Sequence, residues 1–151
     1  MRRWLHLFWN SIFLTIIGTA VWYYSYRSRL ILIAVYAGIG FSLLPDIDAG
    51  TKYHRHFLTH SIIWIAAMWF VAWGYPELQL IISFWILGVG LHCLEDIRLN
   101  RASARGFYTI KIRQTISGKV KGLTGMGTTC WLFWNFVLSF IPMIITLWWL
   151  L

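Results

Sequence analysis

Nearly all the side chains in this chain that can ligate a metal or carry a proton fall in two short stretches. Of the five Asp and Glu residues only Glu77 lies outside them, and of the five His residues only His6 does. One stretch is Leu44-Pro45-Asp46-Ile47-Asp48, followed by His54-Arg55-His56-Phe57-Leu58-Thr59-His60-Ser61. The other is His92-Cys93-Leu94-Glu95-Asp96. His56 and His60 are four apart, as are His92 and Asp96, so on a helix each pair shares one face and reaches one ion. Asp46 and Asp48 would oppose each other on a helix. Joint ligation by them requires an extended or irregular backbone after Leu44, and Pro45 favours one by biasing its predecessor away from helix.

The set Asp46, Asp48, His56, His60, His92 and Asp96 mixes nitrogen and oxygen donors. That mixture suits zinc, manganese or iron better than calcium, and bridging carboxylates give such a set capacity for one ion or two. Zinc and manganese are the divalent ions expected. Glu95 and Asp48 are the candidates for proton transfer, and Glu95 serves equally well as an outer partner of His60 or His92. His54 is an alternative ligand. Thr59 and Ser61 either orient ligands or satisfy helix carbonyls. Singly, these residues have plain explanations: an Asp caps a helix, a His is a hydrogen-bonded core residue, and Lys52 and Arg55 are topology charges. Jointly they bring complementary ligands to one predicted membrane depth, where ionisable groups are costly unless paired or bound to an ion.

The elements that must position these residues are apolar. The chain has 151 residues, 59% hydrophobic and 12% charged, against about 45–50% and 25% for soluble domains. Five apolar segments stand out: Trp4 to Tyr24, Leu30 to Leu44, Ser61 to Gly74, Leu78 to Leu94 and Thr128 to Leu151. A spanning helix needs about 20 residues, so the second and third reach full length only if helix continues into the polar stretch between them. The expectation is an all-α polytopic membrane protein of about five transmembrane helices in a single domain over residues 1–151. The first helix is read as uncleaved, since no small-residue cleavage site follows Arg2 and Arg3. Eleven Trp and seven Tyr fit interfacial aromatic belts.

With the N-terminus inside, Arg2, Arg3, Lys52, Arg55 and the seven basic residues from Arg98 to Lys121 are cytoplasmic, leaving Arg27 and Arg29 outside. That bias sets the orientation and places both polar stretches at the cytoplasmic face. A basic cytoplasmic loop occupies residues 97–127, with alternation from Tyr108 to Arg113 and a turn signal at Ser117-Gly118 predicting a short hairpin. Arg98, Arg101 and Arg105 align on one helical face and could grip phosphate or lipid headgroups. The net charge of +8 is explained by this bias and by anionic lipid, and no nucleic acid is expected. Cys93 and Cys130 lack CxxC spacing and read as small buried hydrophobes. Gly122 to Gly127 has no lysine and hydroxyl pair, so it is not a P-loop.

Leu-Leu-Pro-Asp-Ile-Asp, the His-Arg step, Thr59-His60-Ser61 and a Gly-rich apolar segment ending His92-x-x-x-Asp96 together resemble a membrane-bound, metal-dependent hydrolase family. That family includes an SOS-regulated bacterial inner-membrane protein. The resemblance covers about Ile39 to Arg113. The family pattern His-Arg-Gly-Phe-Thr-His-Ser carries one extra residue here, which leaves its first histidine assignable to His54 or His56, with helical spacing favouring His56. After Asp96 the chain runs Ile-Arg-Leu-Asn-Arg and departs from the family. The resemblance implies a bacterial inner-membrane hydrolase using metal-activated water. Phospholipid or another amphiphilic phosphoester is the most economical substrate, given the neighbouring arginines. The alternative is a non-catalytic membrane subunit whose structural metal staples short helices and whose surface docks a partner protein or anionic lipid. Oligomeric state stays open.

Overall fold

The computed structural model describes residues 2–24, 29–48, 56–102, 110–114, 120–123 and 125–150. His54 and Arg105 lie outside the described residues, as do the side chains of Asp48, Arg98 and Arg101. Six helices follow in order: α1 (Arg2–Tyr24), α2 (Arg29–Phe41), α3 (Ile63–Val71), α4 (Pro76–Ala102), α5 (Gly125–Leu138) and α6 (Phe140–Leu150). Between α4 and α5 two short strands, β1 (Lys111–Gln114) and β2 (Val120–Gly122), pair antiparallel with Arg113 opposite Lys121. The basic segment therefore forms the hairpin its alternation predicts. Its base is tied to the helices, since Thr128 Oγ1 accepts from Ile110 N at 3.1 Å and Ile110 is fully buried.

Among the described residues four stretches are long and apolar enough to cross a membrane: Leu7–Tyr24, Arg29–Ile47, Pro76–Ile97 and Gly125–Leu150. This corrects the expected five. Helix does not continue from the third apolar segment into the polar stretch before it, and α3 keeps only nine residues, about 13 Å of rise. It ends at Val71, and the turn that follows passes through Gly74, whose φ of 93° suits glycine. Pro76 then begins α4, at the helix position where its missing N–H costs nothing. The short helix is secured at its far end by a buried polar contact. Trp69 Nε1 lies 3.0 Å from Ser83 Oγ of α4 and 3.1 Å from Thr146 Oγ1 of α6, and those two hydroxyls are 3.0 Å apart.

α4 is the hub. Of its apolar stretch 78% is buried, against 22% for that of α1 and 33% for each of the other two, as expected of a helix apolar all round. One core joins Ile65 and Trp69 of α3, Ile86 and Cys93 of α4 and Leu132 of α5. The other joins Leu14 of α1, Ile31 of α2, Leu87 of α4 and Met143 of α6. Cys93 is buried as expected, whereas Cys130 is exposed. It sits near the start of α5, on a side of that helix that no other described element covers.

α2 and α4 touch backbone to backbone. A Cβ on Gly88 would lie 2.3 Å from the Gly38 carbonyl oxygen, and one on Gly38 would lie 2.7 Å from that of Phe84. Small residues allow such approach, and the contact fixes the relative depth of the two helices. At the end of α2, Ser42 N still bonds the Gly38 carbonyl at 2.9 Å, but Pro45 has no N–H to continue the series. The chain tightens into a 3-10 turn over Leu44–Asp48. Of the extended or irregular backbone that joint ligation by Asp46 and Asp48 was expected to need, the chain shows a 3-10 turn, which rotates successive residues by about 120°.

Candidate metal centre

Three elements bring polar side chains to one buried point. His92 and Asp96 lie one turn apart on α4, and His60 ends a single turn before α3 in which His60 N bonds the His56 carbonyl at 3.1 Å. His60 Nε2 is 3.2 Å from Asp96 Oδ2, and His92 Nε2 is 3.8 Å from the same oxygen. The two imidazole rings stand 5.7 Å apart at 69°. Both histidines are fully buried and Asp96 nearly so. The ligand atoms of this trio all lie within 4.8 Å of one another.

Asp46 approaches from the 3-10 turn, its Oδ1 3.9 Å from His92 Nε2, and its side chain is 14% exposed. Because α2 and α4 run the same way from the Gly38 and Gly88 contact, Asp46 and His92 arrive at the same level. Asp46 is the most exposed of these four groups.

The donor set fits a divalent transition metal. Two imidazoles and one carboxylate with further positions open are the ligands of several catalytic zinc sites and of non-haem iron sites. Two atoms bound at about 2.1 Å to one tetrahedral ion lie about 3.4 Å apart, close to the His60 and Asp96 separation, while the His92 distances are a few tenths of an ångström longer. A carboxylate enclosed by apolar helices is costly unless compensated, and a dication bound between these groups would contribute to that compensation.

His56 does not join the trio: its Nδ1 accepts from Leu58 N at 3.3 Å and its ring tilts against Phe57. The His56 and His60 spacing spans a turn rather than a continuous helix. Ser61 Oγ accepts from Ile63 N at 3.2 Å, which serves the start of α3. Thr59 Oγ1 is 3.0 Å from His60 Nδ1 and donates to the His56 carbonyl at 2.9 Å. Glu95 is partly buried beside the ligands on α4.

Two residues that matter here were not among the candidates. Trp131 of α5 donates from Nε1 to the His60 carbonyl at 2.8 Å. Asn135, one turn on, accepts from Ile62 N at 2.9 Å and donates to the Trp131 carbonyl at 2.8 Å. The last apolar segment thereby clamps the His60 turn. The available signal was Asn135 itself, the one carboxamide in that segment, since a polar side chain within an apolar helix usually bonds across to a neighbour.

No protein-family model, curated protein or solved structure matches the chain.

Proposed function

We propose that this protein is a membrane-embedded, metal-dependent hydrolase acting on a phospholipid or another amphiphilic phosphoester at the cytoplasmic face. The observation that carries the reading is the buried His60, His92 and Asp96 trio with Asp46 at its exposed side. Depth supports a lipid substrate. Exposed Tyr23, Tyr24, Trp73, Tyr75, Trp148 and Trp149 gather at the opposite end, where Trp73 and Trp149 pack with ring centroids 5.1 Å apart. Such rings settle at headgroup level. From Pro76 to His92 along α4 is about 24 Å, so in a hydrocarbon core of about 30 Å the centre lies just inside the other boundary. Headgroup esters lie there. The bias of Lys and Arg makes that side cytoplasmic, with the N-terminus inside, and the motif resemblance points to a bacterial inner membrane.

In this reading His60, His92 and Asp96 hold zinc or manganese. A divalent ion held there would supply a lowered pKa for water and polarisation of a phosphoryl oxygen. Asp46, at the exposed edge and 3.9 Å from His92 Nε2, adds a ligand on the substrate side of the site, and Glu95 or Asp48 takes the proton of the attacking water. The basic run that begins at Arg98 holds the phosphate.

A second reading, a structural metal in a non-catalytic subunit, draws on the near-complete burial of all three ligands, since closed sites are structural and open ones catalytic. The two are separated by assaying metal-loaded protein in nanodiscs against a panel of phospholipids and soluble phosphoesters. The proposal expects one class to be cleaved, and cleavage to be lost in Asp48→Ala and His92→Ala. Full metal occupancy with no cleavage of any panel member favours the structural site.

A further inference from the structure

We infer that Thr59 selects the tautomer of His60 that offers a lone pair to the centre, a positioning role that rests on the metal reading above. Thr59 Oγ1 lies 2.9 Å from the His56 carbonyl oxygen and 3.0 Å from His60 Nδ1. A hydroxyl has a single proton to give. Given to the His56 carbonyl, it leaves Oγ1 to accept from His60 Nδ1–H, and both short contacts are hydrogen bonds. Given to Nδ1 instead, it would leave two oxygens 2.9 Å apart with no proton between them, a repulsive contact. The carbonyl can take this bond along with the one from His60 N, because it has two lone pairs.

The consequence appears at the other ring nitrogen. With the proton on Nδ1, His60 turns the Nε2 lone pair toward Asp96 Oδ2, 3.2 Å away, so that nitrogen and oxygen are both set to receive a cation. With the proton on Nε2, His60 would simply donate to Asp96, and the pair would be satisfied without metal. Thr59 therefore favours the metal-binding form over a self-satisfied histidine and aspartate pair. Trp131 Nε1 also donates to the His60 carbonyl, which fixes the backbone that carries the ring. Hydrogen bonds to the distal nitrogen of a ligating histidine commonly set its tautomer in this way.

The test is cobalt(II) titration of metal-stripped full-length protein in detergent, followed by the visible ligand-field bands. Thr59→Ser keeps the hydroxyl and is expected to bind cobalt within about 3-fold of wild type. Thr59→Val, of the same shape, is expected to bind 10–100-fold more weakly. Cobalt binding by Thr59→Val equal to wild type overturns the inference while leaving the metal reading intact. No cobalt binding by wild type removes the metal reading and the inference with it. A second measurement does not depend on the folding of Thr59→Val: nitrogen-15 NMR of zinc-loaded, histidine-labelled wild type, with the His60 signal identified by its loss in His60→Gln. A proton on Nδ1 with zinc on Nε2 is expected, and zinc on Nδ1 or a proton on Nε2 overturns the inference.

Discussion

Replacing Gly88 by alanine tests the claim that a backbone contact two helices wide sets the depth of Asp46. The added Cβ would sit 2.3 Å from the Gly38 carbonyl oxygen and 3.4 Å from Ser42 N. Backbone atoms cannot swing aside as a side chain can, so α2 and α4 must separate by about 1 Å to restore ordinary contact. Overpacking of this kind costs about 1–3 kcal/mol, or roughly 2–12 °C in melting temperature for a chain of this size. Asp46 moves with α2, and its Oδ1 is already 3.9 Å from His92 Nε2. Two ligands on one ion can be no more than about 4.2 Å apart, so the shift takes Asp46 out of reach. His60, His92 and Asp96, held by α4 and the clamp from α5, keep their places. Thermal unfolding in detergent and cobalt titration read the two effects. The expected pattern is a clear loss of melting temperature, retained metal binding by the trio, and loss of any dependence of affinity on Asp46→Asn. Gly40→Ala is the control, because its Cβ would meet nothing within 4 Å and alanine favours helix by about 1 kcal/mol. Equal melting of the two variants would refute the packing argument.

Asn135→Leu leaves Ile62 N without its acceptor and is expected to cost about 1–3 kcal/mol, with metal affinity falling because the His60 turn loosens; an unchanged melting curve and affinity would contradict the clamp. Chelation of a metal present at about 100 times its dissociation constant removes about 2.7 kcal/mol, so stripping should lower the melting temperature by roughly 5–11 °C and zinc should restore it, whereas His92→Ala should show no response to either treatment. Trp69→Phe breaks both indole hydrogen bonds while Ser83 and Thr146 still satisfy each other, so a loss of about 1 kcal/mol without change in metal content is expected; a large fall in metal content would mean that the far end of α3 reaches the centre.

Much of the centre is legible in the sequence because its strongest pair is local. His92 and Asp96 sit inside a long apolar helix, where a spacing of four is enough to predict a shared face. The same rule does not carry to His56, because residues 56–60 make one turn closed by Thr59 and His60 themselves, with no helix to propagate the periodicity. The length of α3 was hidden for a related reason. The N–H of Ile62, just before the helix, is taken by Asn135, a residue 73 positions away, and that of Ile63 by Ser61 Oγ, so the chain has no need to extend helix backwards into the polar stretch. Trp131 was lost among the eleven tryptophans, most of which suit a membrane boundary. Pro45 signalled a break in helix, but only the approach of α2 to α4 decides that the break is a 3-10 turn delivering Asp46.

The central claim is that His60, His92 and Asp96 hold one metal ion together. X-ray absorption at the zinc or manganese edge, on protein purified with its metal, tests this most directly. Two imidazole nitrogens and at least one carboxylate oxygen are expected at about 2.0–2.2 Å, with one nitrogen lost in His60→Gln and an oxygen lost in Asp96→Ala. Metal-free protein, or an absorption spectrum that neither substitution alters, would contradict it.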